Sequence, residues 1–196
     1  MKKVCVFCGS SKGTRTVYQE QAKALGTAIA RRGMGLVYGG GQVGLMGITA
    51  DAALAAGGTV VGVIPKALDE LEVGHKGLTE LHIVDTMHTR KALMADRADG
   101  FVAMPGGFGT FDEFCEILTW AQLGEHTKPC AILNVNGYFD LLLRMFDHCV
   151  DEGFVKPIHR ELIIVEGDVE RLLDRMDAWE TPADAEIGKW IDRDER

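Results

Sequence analysis

The sequence has no excess of positive charge. Its 21 lysine and arginine residues stand against 29 aspartate and glutamate residues, which gives a net charge of −8. A chain that serves a partner as anionic as nucleic acid or a lipid surface normally carries the opposite balance. We therefore expect no nucleic-acid partner and no membrane partner, and any bound phosphate must be held by local groups.

Long hydrophobic runs and a cysteine framework are also missing. The opening MKKVCVFCGSS contains an apolar run too short for a signal sequence or a membrane span. The five cysteines are odd in number and have no framework spacing, which favours reduced thiols. Cys5 and Cys8 do form a C-x-x-C pattern, but it lies inside an apolar strand, where residues three apart face opposite sides. These features predict a cytoplasmic protein.

Several ligand motifs are absent. The six histidines show no metal-binding spacing such as H-E-x-x-H, so we expect no metal. No glycine-rich turn ends in the Gly-Lys-Ser/Thr of a kinase-type phosphate loop. We also expect no cofactor.

What the sequence does contain is an alternation of short apolar runs with amphipathic segments. This alternation predicts a Rossmann-like α/β fold, a doubly wound and mostly parallel sheet of about seven strands with helices on both faces. At 196 residues the chain suits one domain, which we place at 1–180, followed by a charged tail at 181–196 in which Trp190 is a candidate anchor. The predicted strands are 3–8, 36–40, 59–64, 81–85, 100–104, 130–135 and 162–166. The one long irregular stretch is 65–80, and such loops are often functional.

Three glycine-rich turns follow predicted strands, at 8–13, 38–44 and 105–110. Ligands of open α/β sheets bind beyond the carboxyl ends of the strands, so these turns suggest a nucleotide. The second turn has the G-x-G-x-x-G spacing of a dinucleotide site. However, the next strand, TVVGVIPK, lacks the terminal acidic residue that holds the ribose, which argues against a dehydrogenase.

The third turn, MPGGFGTFDEF, combines open backbone N–H groups at a helix start, which favour an anion, with two carboxylates, Asp112 and Glu113. From spacing alone, Thr110 and Glu113 fit a capping box, in which the glutamate only stabilises the helix start. Upstream, Arg90 and Lys91 lie at another predicted helix start, where cations are unfavourable for the helix dipole. The pair is either part of a ligand site or a solvated surface pair.

The segments PGGFGTFDE and MHTRK together resemble the paired signature P-G-G-x-G-T-x-x-E and M-x-x-R-K of the LONELY GUY family, the cytokinin riboside 5′-monophosphate phosphoribohydrolases. The likeness extends through VCVFCGSS, YGGGQVGLMG, TWAQLG and NVNGYFD, over about the first four-fifths of the chain. It implies a Rossmann-like homodimer that cleaves the N-glycosidic bond of nucleoside 5′-monophosphates to free base and ribose 5-phosphate.

The resemblance also implies roles for residues. Arg90 and Glu113 would be the catalytic pair. The substrate-binding residues would be Glu72, Lys91, Gly106, Gly107, Phe108, Gly109, Thr110, Phe111, Asp112 and Thr119. In this interpretation Gly106 to Thr110 hold the 5′-phosphate, and Glu113 faces the ribose, where positive charge develops on C1′. Arg90 would orient the substrate or keep Glu113 ionised, and Asp112 is a geometric guess for an acid that serves the departing base.

Two other functions compete with this one. A nucleotide-binding carrier or sensor on the same superfamily fold would keep the phosphate turn without catalysis. A pyridoxal-phosphate decarboxylase would use Lys91 as a Schiff base, but it would also need a partner for the pyridine nitrogen. The preferred base, adenine or prenylated adenine, stays open, and AMP hydrolysis is a further possible activity.

Overall fold

A computed structural model describes residues 1–71 and 74–182 of the chain. It contains seven strands and eight α-helices within these residues. The strands are β1 (Lys3–Phe7), β2 (Gly35–Tyr38), β3 (Val60–Pro65), β4 (Glu80–Val84), β5 (Gly100–Ala103), β6 (Cys130–Leu133) and β7 (Ile163–Glu166). The helices are α1 (Thr16–Arg31), α2 (Gly44–Ala55), α3 (Lys66–Asp69), α4 (Met87–Asp96), α5 (Phe108–Leu123), α6 (Asp140–Asp151), α7 (Pro157–Arg160) and α8 (Val169–Asp177), with a short 3-10 turn at Val135–Gly137.

All seven strands are parallel and lie in the order β4-β3-β2-β1-β5-β6-β7. The chain winds outward from β1 to β4 and then returns to place β5 on the other side of β1. This reversal is the topological switch point of a doubly wound sheet, and it leaves a crevice beyond the carboxyl ends of β1 and β5. The predicted fold class and all seven predicted strands are confirmed.

The inner strands β1, β2, β3, β5 and β6 are buried on both faces, which explains why they are continuous apolar runs. Along β1, Val4 and Val6 face a core made with α1, α2 and α8, whereas Cys5 and Phe7 face a core made with α4 and α5. Cys8 lies on the first of these faces, opposite Cys5, as the strand interpretation of the C-x-x-C pattern predicts.

The stretch 65–80 is less irregular than the sequence suggested. It begins with the single turn of α3, and Gly74 forms an isolated antiparallel bridge with Gly41. Short helices such as α3 and α7 escape a periodicity analysis because four residues complete barely one turn. Glu72 and Trp190 lie outside the described residues, as does most of the predicted tail, so the domain division stays a prediction.

Within the part of the chain that the structure describes, no helix is long and apolar enough to cross a membrane.

Candidate active site

The crevice at the switch point is a cavity of about 300 Å³ between the turn after β1 and the turn after β5. The two turns are joined directly, because the Gly9 N–H donates to the Pro105 carbonyl at 3.0 Å. Tyr138, from the segment that follows β6, closes a third side and donates its hydroxyl hydrogen bond to the Gly106 carbonyl. The cavity is lined by Gly9, Ser10, Ser11, Gly13, Tyr18, Leu45, Pro105, Gly106, Gly107 and Tyr138.

The start of α5 is open to this crevice. Its N-cap is Gly107, which has no side-chain cap, and the first N–H groups of any helix lack intrahelical partners. A Cβ atom added at Gly107 or Gly109 would meet no atom within 4 Å, so space is free above the turn. At Gly106, by contrast, an added Cβ would lie 2.1 Å from the Thr110 hydroxyl, which requires glycine. The helix start can therefore receive an anion.

The other two glycine-rich turns differ from this one. The first N–H groups of α2, from Leu45 and Met46, donate to the Gly9 carbonyl at 3.0 and 3.4 Å. The turn after β1 thus caps the helix that follows the second turn. The turns after β1 and β2 are thus joined to each other, and the turn after β1 also lines the crevice. The expectation that these turns bind a nucleotide stays a prediction.

Arg90 and Glu113 form a buried ion pair between α4 and α5, and neither is among the residues that line this crevice. Arg90 Nη1 lies 2.8 Å from Glu113 Oε1, and the two residues are 8% and 6% exposed. Arg90 also donates from Nε to the Val63 carbonyl at 3.1 Å, which fixes the plane of the guanidinium. Gly39 lies close to the Nη2 end of the guanidinium, since a Cβ added there would be 1.8 Å from Nη2. All three guanidinium nitrogens of Arg90 therefore have a close neighbour: Val63 at Nε, Glu113 at Nη1 and Gly39 at Nη2.

The capping-box interpretation of Glu113 is wrong. It requires Thr110 at the N-cap, but α5 begins at Phe108 and its N-cap is Gly107. Thr110 is thus the third helical residue, and the Glu113 carboxylate pairs with Arg90. The interpretation of Arg90 and Lys91 as a solvated surface pair is also wrong, because both side chains are buried.

Burial raises the pKa of Glu113 above its ordinary value, and the opposing effect of the Arg90 guanidinium does not fully offset it. Arg90 alone would lower this pKa, but burial has the larger effect, so the suggestion that Arg90 keeps Glu113 ionised stays a prediction.

If the ionised form of Glu113 is the active one, kcat decreases as the pH falls through this raised pKa. We expect an acidic limb in the pH profile of kcat with a midpoint above the ordinary value of 4.5. Steady-state rates between pH 4 and pH 9 measure it, and Glu113→Gln should flatten the limb. A midpoint at or below 4.5 would contradict this assignment.

Lys91 is held between two carboxylates. Its Nζ lies 3.0 Å from Asp112 Oδ2 and 3.1 Å from Glu116 Oε1. Burial lowers the pKa of Lys91, but the hydrogen bonds with Asp112 and Glu116 outweigh it and raise the pKa overall. A Schiff-base lysine must reach its neutral form, so this environment argues against the decarboxylase alternative. Glu116 was missed by the sequence reasoning, although its i, i+4 spacing from Asp112 is a usable signal.

Two kinds of comparison show which family this is. The model of a family described as "Possible lysine decarboxylase" matches residues 46–176. The cytokinin riboside 5′-monophosphate phosphoribohydrolase of Rhodococcoides fascians is 54% identical over 170 residues, which cover 86% of this chain and 86% of that protein. The chain belongs to the LONELY GUY family. A phosphoribohydrolase of the same name from Arabidopsis thaliana is 45% identical over 190 residues, 97% of this chain and 88% of its own.

Solved structures agree on the fold of this LONELY GUY family member. The molybdenum cofactor carrier protein of Chlamydomonas reinhardtii superposes with a TM-score of 0.70 over 91% of this chain and 99% of its own, at 23% identity. The molybdenum cofactor binding protein of Rippkaea orientalis gives 0.70 over 91% and 97%, at 18% identity. At these identities the likeness shows the shared fold alone.

The structure brings most of the residues implied by the family together. The group comprises Arg90, Lys91, Gly106, Gly107, Phe108, Gly109, Thr110, Asp112 and Glu113, all at the starts of α4 and α5 or in the turn before α5. Phe111 is half-buried and its ring packs edge-on against Phe139 at 6.2 Å. Their roles in binding and catalysis stay predictions.

Thr119 lies elsewhere. It is six residues beyond Glu113 on α5, about 9 Å along the helix. Its hydroxyl donates to the Cys115 carbonyl at 2.8 Å, and it lines a separate cavity of about 150 Å³ between α5 and the segment around Phe146 and His159. Within the described part of this one chain, Thr119 does not reach the Arg90–Glu113 pair, and its role in binding stays a prediction.

No group of three or more histidine, cysteine, aspartate or glutamate side chains suited to a metal ion occurs within residues 1–71 and 74–182. Metal independence stays a prediction.

Proposed function

We propose that this protein is a hydrolase that cleaves the N-glycosidic bond of adenine-type nucleoside 5′-monophosphates, including cytokinin nucleotides, and releases free base and ribose 5-phosphate. The observation that carries the proposal is the buried Arg90–Glu113 pair beside an open helix start. The relatives named phosphoribohydrolase, at 45% to 54% identity, support it.

In this proposal, different groups of the protein bind different parts of the substrate. The N–H groups at the start of α5 hold the 5′-phosphate, because the helix dipole and the open donors favour an anion there. Glu113 lies one turn further along, about 4.5 Å along the axis from Thr110. A ribose anchored by its phosphate at the helix start can thus present its C1′ side to the Glu113 carboxylate.

Glu113 acts where the charge develops. Breaking the bond between C1′ and the base builds positive charge on C1′ and the ring oxygen. Because this charge is present in the transition state and not in the ground state, a nearby carboxylate stabilises the transition state more. Burial of Glu113 strengthens the effect, because few water molecules compete for the carboxylate. Glu113 also offers an oxygen that can orient or deprotonate the attacking water.

Arg90 places that carboxylate. Its Nε is bound to the Val63 carbonyl and its Nη1 to Glu113, so one rigid guanidinium links the end of β3 to α5. Asp112 fits the role of an acid for the departing base poorly, because its Oδ2 is engaged by Lys91.

The phosphate requirement tests the proposal. We expect kcat/KM for AMP to exceed that for adenosine by about 100-fold or more, since two charge-assisted hydrogen bonds contribute about 1.5–3 kcal/mol each. Release of adenine is followed by chromatography, with isopentenyl-AMP as a second substrate and a strong chelator present throughout. Equal values for AMP and adenosine, or activity that returns only when zinc or magnesium is added, would contradict the proposal.

We propose that the protein is a homodimer, as the family resemblance implies, and that α6 forms the interface. None of the twelve residues of α6 is buried, although the helix is strongly amphipathic. Leu141 on its apolar face is 73% exposed, and Met145 is 54% exposed. A second copy would remove these side chains from water.

Light scattering after size-exclusion chromatography measures the oligomeric state. We expect about 43 kDa, twice the chain mass of 21.4 kDa, for the wild type and the monomer mass for a Leu141→Asp, Met145→Asp double variant. The control is Lys23→Asp on α1, an exposed residue on the other face of the sheet. A wild-type monomer would refute the dimer, and a dimer in the double variant would refute the interface.

We further propose a cytoplasmic location and one catalytic domain. The five cysteines are free, and burial raises the thiol pKa of Cys5, Cys8 and Cys130, which suits inert structural thiols in a reducing compartment.

A further inference from the structure

Residues 74–77 lie on the glycine-rich turn that follows β2. Gly74 forms an antiparallel bridge with Gly41, and the His75 N–H donates to the Gly40 carbonyl at 2.9 Å. This short segment therefore pairs with the turn through its backbone, as an added strand would.

The side chain of His75 fixes the segment further. It is 7% exposed, and its Nε2 lies 2.9 Å from Asp51 Oδ1 on α2. The Gly77 N–H donates to Nδ1 at 3.0 Å, so Nδ1 carries no proton and Nε2 is the donor to Asp51. Both ring nitrogens are used, and the ring has one orientation.

The turn beneath His75 is one wall of the Arg90 site. A Cβ added at Gly39 would lie 1.8 Å from Arg90 Nη2 and 2.9 Å from Cζ, so the Nη2 end of the guanidinium lies close against the Gly39 backbone. Gly40 has φ +75°, and a Cβ there would lie 3.3 Å from the Val63 carbonyl carbon. The oxygen of that same carbonyl accepts the hydrogen bond from Arg90 Nε.

We propose that His75 is a positioning residue for the proposed hydrolase. Through Asp51 and Gly40 it holds the turn at residues 39–41 against the Arg90 guanidinium, and so keeps Arg90 in contact with Glu113. This inference rests on the function proposed above for its kinetic consequences. His75 does not contact the Arg90–Glu113 pair in the structure and acts through the backbone of the turn.

The kinetic test uses His75→Ala and Asp51→Ala, with Asp51→Asn as the conservative variant because its amide oxygen still accepts from Nε2. We expect each alanine variant to lower kcat about 10-fold, since displacement of a positioning group by a fraction of an ångström is costly. KM for AMP should change less than about threefold, because the phosphate turn at 105–110 is untouched. Asp51→Asn and the histidine control, His82→Ala on β4, whose side chain is 29% exposed, should stay within about threefold of wild-type kcat.

A double-mutant cycle separates positioning from plain stability. Lysine has no planar guanidinium whose orientation matters, so in an Arg90→Lys background His75→Ala should lower kcat less than about twofold. All variants are assayed well below their thermal midpoints. An equal loss in both backgrounds, or wild-type kcat in His75→Ala, would overturn the proposal.

A spectroscopic measurement tests the positioning role of His75 without depending on activity. The side-chain Nε–H signal of Arg90 in a ¹⁵N NMR spectrum is assigned by its loss in Arg90→Lys. We expect this N–H to exchange its hydrogen about 10-fold faster or more in His75→Ala than in the wild type, because the turn at residues 39–41 is then held less firmly against the guanidinium. Unchanged exchange would overturn the positioning role. A wild type that leaves AMP intact would overturn the proposed function alone.

Discussion

Replacing Glu113 by glutamine is expected to lower kcat about 100-fold or more while shifting the thermal midpoint by less than about 5 °C. The glutamine keeps the shape of the side chain and an acceptor for the Arg90 Nη1 donor. It removes the negative charge that faces C1′. Because burial already raises the pKa of Glu113, the neutral side chain suits its site, and this offsets part of the lost attraction to Arg90.

The measurement is kcat for AMP together with the thermal midpoint, on Glu113→Gln and on the control Glu20→Gln, an exposed residue of α1. The control should match the wild type in both. Wild-type turnover in Glu113→Gln would refute the catalytic assignment and leave the Arg90–Glu113 pair as a structural contact between α4 and α5.

Replacing Gly39 by alanine is expected to lower kcat by about 100-fold, although this residue carries no reactive group. The added Cβ would lie 1.8 Å from Arg90 Nη2, so the guanidinium must move. It cannot move freely, because Nε is bound to the Val63 carbonyl and Nη1 to Glu113. The substitution therefore disturbs the geometry of the pair without touching either member chemically.

The matched control is Gly167→Ala, where the nearest neighbour of an added Cβ is 3.9 Å away. Steady-state kinetics with AMP on both variants measures the effect, and KM is expected to change less than kcat. If Gly39→Ala keeps wild-type kcat, the position of the Arg90 guanidinium does not limit the reaction.

The fold could be predicted because its signals are local. Short apolar runs that alternate with amphipathic segments are produced by a parallel sheet buried on both faces, and each strand carries this pattern by itself. The detailed order of the strands in the sheet needed the structure, because no single strand carries that information. The position of the crevice did not, because a doubly wound sheet binds ligands at the carboxyl ends of its strands.

The site was predicted in part, and for a different reason. The two motifs identified the family and pointed to Arg90 and Glu113, but spacing alone favoured a capping box for Glu113. That choice depends on where α5 begins, and a helix start cannot be placed to within two residues from periodicity. The start at Phe108 moves Thr110 into the helix and leaves Glu113 to pair with Arg90.

The contacts that hold the pair were not predictable. Val63 and His75 carry no motif of their own, and the glycine-rich turn that contains Gly39 gives no sign of its contact with Arg90. Val63 contributes its backbone carbonyl, and Gly39 contributes the space left by its missing side chain, so side-chain chemistry does not reveal either contact. His75 contributes a side-chain hydrogen bond to Asp51, which no spacing in the sequence indicates. For Tyr138 the sequence does offer a signal, because this residue lies within the NVNGYFD segment that resembles the family.

The most direct test of hydrolysis is to incubate the purified wild-type protein with AMP and to quantify adenine and ribose 5-phosphate together. This experiment separates the proposed hydrolase from a nucleotide carrier or sensor on the same fold. The account predicts that both products appear in equal amounts over many turnovers and that the AMP disappears at the same rate. AMP that binds in calorimetry but is recovered intact would contradict it and favour the carrier.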